Sequence, residues 1–242
     1  KKIRYVAIEE EMPYESDWSI EIFQRNYIKN ALVDCKADDI ILLSDVDEFA
    51  APELLQQVKD GLGEVHIFST FERVAEREGL RGLSRNTRCF LRSLPYMRKR
   101  SSIREFLRYS PVVCEQTMYN FFINYQRDSN WCGLILAEYG QIVDMQKLRS
   151  RRNQFPLVYG GWHFSSLGGL KMIRNKINST SDGMCNPIYG LPEEDQNQVI
   201  EEALEKGYIW WRDEYLKKCT LADMDIPWIE WFAKKYPYMY HG

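Results

Sequence analysis

A run of apolar residues that ends in three carboxylates is the stretch of this sequence best suited to chemistry. Residues 38–49 read DDIILLSDVDEF, in which Asp45, Asp47 and Glu48 follow the apolar residues 40–43. The run has the length of a buried parallel strand. Acids that follow such a strand lie at the carboxyl edge of the sheet, where open α/β folds bind their ligands.

The spacing of these acids indicates a divalent metal site. In an extended chain Asp45 and Asp47 point to the same side, because side chains alternate with period two. Two hard oxygen ligands on one side suit Mg²⁺ or Mn²⁺, which commonly combine one or two carboxylates with substrate phosphates. The alternative interpretation is an ordinary strand end that runs into an acidic loop.

Composition is that of a globular protein, and we expect a single domain over residues 1–242. The chain has 242 residues, of which 45% are hydrophobic and 28% charged, with a formal net charge of −3. This charge gives no attraction towards nucleic acid or an anionic membrane, and no apolar run is long enough to span a bilayer. The six cysteines lack zinc-site spacing and are typical of reduced thiols, although disulfide pairing remains possible.

The elements around the acids predict an α/β fold. Residues 3–10 predict a first strand, and apolar residues recur at helical spacing after Asp17, a suitable N-cap. With the strand over 39–44, this gives a β-α-β unit and hence a parallel sheet. Residues 52–63 predict a short helix with Pro52 in its first turn and glycines at its end.

The rest of the chain adds strands, a basic stretch and a long helix. Strands are predicted over 64–70, 117–126 and 130–143, and a helix with both end signals over 191–207. Residues 72–108 contain eleven Lys or Arg and four acids. We interpret residues 72–110 as a basic, helical, solvated insertion, with phosphate or acidic partners as the alternative.

Glycines flank an aromatic–histidine–aromatic core in a second unusual stretch. Residues 159–169 read YGGWHFSSLGG and include His163. Backbone of this composition turns tightly or passes close to a ligand. The simplest interpretation of His163 itself is a half-buried ring that is satisfied by the backbone.

Five stretches in this order resemble glycosyltransferase family 17, the family of the β-1,4-N-acetylglucosaminyltransferases that add the bisecting residue to N-glycans. They are WSIEIFQRN (18–26), DDIILLSDVDE (38–48), NWCG (130–133), YGGWHFSSLGG (159–169) with KMIRNKI (171–177), and EKGYIWWRDEY (205–215). The resemblance covers most of residues 15–240, with a gap over the basic stretch. It implies a GT-A-like, Rossmann-like fold with a mostly parallel sheet flanked by helices. It also implies inverting transfer of N-acetylglucosamine from a UDP-sugar donor to a carbohydrate acceptor, with Mn²⁺ or Mg²⁺ on the Asp-x-Asp motif.

The resemblance assigns expected roles to the acids. A divalent cation that bridges the two phosphates of UDP stabilises the leaving group without proton transfer. Asp47 would bind the metal directly, and Asp45 would bind the metal or the ribose. Glu48 would support them or contact the donor sugar. His163 would be a further ligand to the metal or to the diphosphate.

Other residues are expected to bind substrate. Arg25 and Asn26 would hold the nucleotide or support the metal-bearing strand. Trp131 and Trp162 would stack on a sugar, with core packing as the alternative for each. Gly161 belongs to the stretch that is expected to bind substrate. Lys176 would bind phosphate, with a solvated position as the alternative.

An inverting transfer also needs a base that takes the proton of the acceptor hydroxyl. The candidates are Glu138 and Asp144, and the alternative for both is an ordinary surface acid. Two departures from the family pattern bear on the substrate. The metal motif comes early, as if the first β-α unit were missing, and Asp182 stands in the region where the family carries a second histidine.

Two other functions remain open. A haloacid-dehalogenase-like phosphatase also begins with Asp-x-Asp, but it needs Thr or Ser where this chain has Phe49. A non-catalytic carbohydrate-binding protein or inactive relative would keep the aromatic residues and not need Asp45 and Asp47. For location we expect the cytoplasm of a bacterium or virus, or the Golgi lumen if an N-terminal anchor has been removed.

Overall fold

The computed structural model describes residues 3–11, 16, 18–65 and 102–242. They form an α/β structure in which helices flank a mixed sheet, as the sequence predicts at this level. The α-helices are α1 (Ser19–Tyr27), α2 (Pro52–Asp60), α3 (Ile103–Leu107), α4 (Met145–Ser150), α5 (Gly169–Ser179), α6 (Glu193–Lys206) and α7 (Ile229–Lys235). The strands are β1 (Ile40–Leu43), β2 (Glu48–Phe49), β3 (Val112–Asn120), β4 (Tyr125–Gln126), β5 (Trp131–Glu138), β6 (Leu157–Ser165), β7 (Tyr208–Ile209), β8 (Glu214–Tyr215) and β9 (Lys217–Lys218). Within the described ranges, none of the helices has the length and apolarity that a membrane crossing requires.

The chain divides into two compact units. The first comprises residues 1–116 and 132–161, and the second comprises residues 117–131 and 162–242. The strands β3, β5 and β6 each continue from one unit into the other. The single domain expected from the sequence stays a prediction.

In the first unit, β1 is the outermost of the described strands and pairs antiparallel with β5. Ile40 lies opposite Glu138, and Leu43 lies opposite Ile135. Next to β5 comes β3, which also pairs with β6, and β6 pairs with β2. Within the described ranges, the pairing of β1 is thus antiparallel, and the parallel partner expected for it is not among these strands. The apolar run predicted a strand, but Leu42 is 37% exposed, so the run does not mark a strand covered on both faces.

The core of the first unit lies between this sheet and α4. Met145 and Leu148 of α4 are buried in one cluster with residues of four strands, which are Leu43, Val113, Cys132, Ile135, Ala137 and Leu157. Burying these apolar side chains fixes the position of α4 against the sheet. The last turn of α4, which carries Arg149, is thereby held beside the end of β1.

Several predicted elements of the first unit can be compared with the structure. The predicted helix over 52–63 is α2, which begins at Pro52 and ends at Gly61 in the left-handed conformation. The predicted strand over 3–10 is wrong, because none of these residues is in a strand. Residues 66–101 lie outside the described residues, so the predicted strand over 64–70 and most of the basic stretch are not described.

The second unit combines short strands with a pair of helices. Strand β4 pairs with β3 and β9, and β7 forms a hairpin with β8. Helix α6 agrees with its prediction, because an acidic first turn follows Pro192 and Gly207 ends it in the left-handed conformation. Helices α5 and α6 share a core with Phe121, and its other buried members are Ile173, Ile177, Ile188, Ile200, Ala203 and Ile209.

Gly161 allows β6 to pass very close to β2. Its φ is +128°, and a Cβ built on it would lie 2.2 Å from the carbonyl oxygen of Phe49. No side chain fits at this distance, because the obstacle is backbone. The sequence predicts a tight turn or a close approach to a ligand at these glycines. In the structure, the backbone of Gly161 closely approaches the backbone of Phe49 in β2, directly after the acidic residues.

We expect Gly161→Ala to destabilise the protein by about 2 kcal/mol or more, because the new Cβ meets Phe49 backbone in a strained conformation. Gly61→Ala is the matched control, since Gly61 also has a positive φ but has nothing within 4 Å of a built Cβ. Its cost should be about 1 kcal/mol, the penalty of the left-handed conformation alone. Urea unfolding followed by tryptophan fluorescence measures both. Equal losses in the two variants would contradict the close approach.

Candidate active site

The predicted metal motif forms a tight turn. Glu48 N–H donates to the carbonyl oxygen of Asp45 at 3.1 Å, which closes a four-residue turn after β1. The Glu48 carboxylate in turn accepts from the backbone N–H of Asp45 at 3.0 Å. We call residues 45–48 the acidic turn. Because the backbone bends here, the alternation that would place Asp45 and Asp47 on the same side of a strand does not apply.

Arg149, at the end of α4, binds two of the three acids. Its Nη2 donates to Asp45 Oδ2 at 2.5 Å and to Glu48 Oε1 at 2.6 Å, while Nη1 donates to Glu48 Oε2 at 3.1 Å. Nη1 also donates to the carbonyl oxygen of Gly133 in β5. The planar guanidinium, with donors on several sides, can bind all of these acceptors at once.

The side chains of Arg149 and Glu48, which form an ion pair, are both buried. The side chain of Arg149 is 5% exposed and that of Glu48 is 0% exposed, whereas the Asp45 side chain is 43% exposed. A carboxylate as deeply buried as Glu48 needs such partners, and the guanidinium and the Asp45 N–H help to satisfy it. Glu48 thus lacks the exposed surface that the expected contact with a donor sugar would need.

The pKa values of the neighbouring arginines reflect these charges. Burial lowers the pKa of Arg149, but the hydrogen bonds and charges of Glu48 and Asp45 outweigh burial, so the pKa lies above its ordinary value. Arg152 donates Nη1 to the carbonyl oxygen of Arg149 at 3.3 Å. Burial and the nearby charge of Arg149 lower the pKa of Arg152, while Glu48 and Asp45 oppose this shift. The acidic turn therefore sits beside a concentration of positive charge.

Arg25 and Asn26 of α1 connect the acidic turn to the start of α4. Arg25 Nη2 lies 3.5 Å from Asp45 Oδ1, and its Nη1 donates to Gln146 Oε1 at 2.5 Å. Asn26 Oδ1 accepts from the Gln146 N–H at 2.9 Å. Arg25 thus contacts both the acidic turn and α4, and Asn26 contacts α4; the roles expected for the two residues stay predictions.

The two candidate bases have different positions. Asp144 caps α4, accepting from the Lys147 N–H at 2.7 Å and from Asn26 Nδ2 at 3.3 Å. Glu138 lies opposite Ile40 in the β1–β5 register, at the other end of β1 from Asp45. The four residues of β1 alone span about 10 Å. The structure therefore does not bring Glu138 to the acidic turn, and it gives Asp144 a structural task.

Asp47 occupies the third position of the acidic turn and is partly exposed. Glu48 is buried, and Asp45 lies within reach of both Arg25 and Arg149. Within the described ranges, no group of three or more His, Cys, Asp or Glu side chains is arranged to hold a metal ion.

The remaining predicted residues lie in the second unit. His163 is buried, with its ring centroid 5.0 Å from that of Trp131. Trp162 is 8% exposed and meets Trp228 edge-on, so it packs in the core rather than offering a face to a sugar. Lys176, on α5, donates from Nζ to Ser165 Oγ at 3.3 Å. Asp45 and Asp47 belong to the first unit, so their expected sharing of a metal with His163 stays a prediction.

Sequence reasoning missed Arg149. It stands in QKLRSRR, residues 146–152, where four basic residues within six positions resemble a solvated helix end. The available signal is its phase, because Arg149 comes four residues after Met145 and so lies on the same, buried face of α4. Its carboxylate partners, Asp45 and Glu48, are about a hundred residues earlier in the chain, where no local pattern can indicate them.

Removing one member of the buried pair should cost much more than removing an exposed partner. We expect Glu48→Gln to lower the free energy of unfolding by about 3 kcal/mol, because Arg149 stays buried with less opposing charge. The control is Glu202→Gln, which breaks an exposed pair with Lys206 on α6 and should leave stability unchanged within error. Urea denaturation of both variants measures the difference. A Glu48→Gln variant as stable as the control would show that the pair is not needed for folding.

Comparison of the chain with models of known families, with curated proteins and with solved structures finds no match.

Proposed function

We propose that this protein is a metal-dependent inverting glycosyltransferase of GT-A type. It transfers a sugar, N-acetylglucosamine in the first instance, from a UDP-sugar to a glycan or glycolipid acceptor. The observation that carries the proposal is the acidic turn, a short turn after a sheet strand that carries three carboxylates and is held in one conformation by a buried arginine. The family resemblance of the sequence supplies the sugar and the nucleotide.

The residues of the acidic turn fit a cation that is shared with a substrate. Asp47 offers a partly exposed carboxylate, whereas the described residues hold no cluster able to bind a metal by themselves. Mg²⁺ and Mn²⁺ are commonly held in this way, by one or two carboxylates together with substrate phosphates. A cation bound there supplies positive charge to the diphosphate that leaves when the glycosidic bond breaks.

The chain's own contribution is a preorganised position for Asp47. Hydrogen bonds from Arg149 to β5 and to the acidic turn tie the turn to the sheet, and Arg25 ties it to α1 and α4. Groups fixed before the reaction need no reorganisation as charge develops, which is the main source of electrostatic catalysis. The donor would thus meet a rigid turn rather than a mobile acidic loop.

The first test is calorimetric titration of UDP-N-acetylglucosamine with and without Mn²⁺. We expect binding to wild-type protein only when Mn²⁺ is present, and we expect Asp47→Asn to abolish it, because the substitution removes a charged oxygen ligand with little change in volume. Asp38→Asn is the control, since Asp38 is an exposed carboxylate before β1.

The outcomes separate this function from the alternatives. Binding of UDP alone in the presence of Mn²⁺, with no gain from the sugar, would retain the metal–diphosphate site but point to another donor sugar. Binding that needs no metal and survives Asp47→Asn would overturn the transferase mechanism and favour a carbohydrate-binding protein.

A further inference from the structure

We infer that exposed aromatic and lysine side chains on and just after α7 dock the second unit onto the surface of a phospholipid bilayer. These side chains are Trp231, Lys234, Lys235, Tyr236 and Tyr238, and we call them the aromatic–lysine face. Docking of this kind needs neither a sugar donor nor a metal ion, so the inference does not rest on the proposed function.

Two large rings of the aromatic–lysine face are open to solvent. Trp231 and Tyr238 are each 60% exposed. Tryptophan is highly buried on average, because its indole ring carries a large apolar surface. Exposed apolar groups that lie together and are bordered by polar groups mark interaction sites. The exposure of these two rings therefore points to a partner surface.

Contacts between neighbouring side chains join these residues into one surface. Lys235 Nζ lies 4.7 Å from the centroid of the Trp231 ring and 5.3 Å from that of Tyr236. The Tyr236 ring meets that of Tyr238 edge-on, with 6.3 Å between the centroids. Lys234 is exposed and follows Trp231 by three residues, so it lies on the same side of the helix. Rings and ammonium groups are therefore presented together.

The opposite side of α7 fixes this surface to the second unit. Ile229 and Ala233 are buried. After the helix, the carbonyl oxygen of Met239 accepts from the Ile123 N–H at 2.9 Å. The aromatic–lysine face is therefore carried by packed structure, and its rings do not need to be ordered when a partner binds, which lowers the entropic cost of docking.

The residue types favour a lipid surface over a protein partner. Trp and Tyr are enriched at the membrane–water boundary, where their rings lie at the level of the headgroups. Lysine can hold its ammonium group at the same level while its stem packs on apolar groups. Protein interfaces, in contrast, are enriched in Arg beside aromatic residues and depleted in Lys. Residues 216–242 contain four lysines and no arginine.

The arrangement of the rings disfavours a sugar-binding platform. The ammonium group of Lys235 lies over the Trp231 ring, and the ring planes of Tyr236 and Tyr238 differ by 85°. A sugar that stacks on aromatic residues needs an open ring face, and an extended glycan needs several faces in one plane. A headgroup layer makes no such demand, because rings enter it in many orientations.

The charge at this surface differs in sign from that of the whole chain. The formal net charge of −3 is a sum over all residues and gives no attraction towards an anionic membrane. Helix α7 itself contains Lys234, Lys235 and one acid, Glu230, so its own formal charge is +1. The lysines of the aromatic–lysine face therefore complement the phosphates of the headgroups.

The test measures the fraction of protein that sediments with lipid vesicles, made either of phosphatidylcholine or of equal parts of phosphatidylcholine and phosphatidylglycerol. We expect wild-type protein to bind both, and the anionic vesicles about tenfold more tightly, because each lysine near an anionic surface contributes about fivefold and Glu230 offsets part of this. Trp231→Ala should weaken binding to both kinds of vesicle by about tenfold, since it removes the largest apolar group that enters the headgroup layer.

The double variant Lys234→Gln, Lys235→Gln should lose the preference for anionic vesicles and keep the binding to phosphatidylcholine. Lys171→Gln is its control, because Lys171 is an exposed lysine on α5. Tyr238→Ser should weaken binding to both kinds of vesicle, whereas Tyr215→Ser should not, although Tyr215 in β8 is more exposed, at 68%. All of these side chains are exposed, and circular dichroism confirms that each variant is folded.

Three results would overturn the inference. The first is wild-type protein that sediments with neither kind of vesicle. The second is vesicle binding that Trp231→Ala and the double lysine variant leave unchanged. The third is Trp231-dependent binding of a soluble oligosaccharide such as N,N′-diacetylchitobiose, or Trp231-dependent self-association in light scattering, without vesicle binding. Since no donor or metal is present in these measurements, none of the results decides the test of the proposed function.

Discussion

The buried guanidinium of Arg149 is the constraint on which the first unit's candidate site depends. A charge that is 5% exposed must be met by charges and hydrogen-bond acceptors, because the low-dielectric interior does not solvate it. The chain meets it with Glu48, Asp45 and a strand carbonyl. This requirement favours the observed conformation of the acidic turn, because Arg149 and Glu48 satisfy each other in it.

Close backbone packing fixes the other side of the acidic turn. Strand β2 begins at Glu48, and β6 lies against it so closely that Gly161 faces the Phe49 carbonyl with no room for a side chain. Gln116 of β3 also donates to the Phe49 carbonyl at 3.0 Å. The turn is thus held by charge on the α4 side and by backbone contact on the β6 side. Gly161, which the sequence singles out as a binding residue, has a sufficient structural reason to be glycine.

Elements with local signals were predictable from the sequence, and elements that depend on distant partners were not. Helices α2 and α6 carry Pro52, Gly61, Pro192 and Gly207 at their ends, so their limits follow from residues inside the segment itself. The apolar run of β1 identified a strand but not its antiparallel partner, because pairing direction is decided by β5 some ninety residues later. Residues 3–10 show the converse, since alternation alone predicts a strand there and the structure forms none.

The same difference between local signals and distant partners applies to the candidate site. The three acids of residues 45–48 are conspicuous in the sequence because they are adjacent, and their type alone indicates cation chemistry. Which acid would meet a cation is a question of their partners, and Arg149 and Arg25 are contributed by segments far from the turn. For the same reason Asp144 looked like a free acid in the sequence, although it caps a helix that Asn26 also binds.

The balance of charge at the acidic turn bears on what it could bind. Asp45 and Glu48 pair with Arg149, Asp45 also lies near Arg25, and the charges of both acids act on Arg152 as well. A bare divalent cation at the turn would lie close to these arginines, and like charges repel strongly in a partly buried place. A cation that arrives with a diphosphate brings its own negative charge, and the same arginines then oppose it less. Under the proposed function, these arginines would favour a metal–diphosphate complex over the free metal, so we expect Mn²⁺ and UDP to bind cooperatively rather than in independent steps.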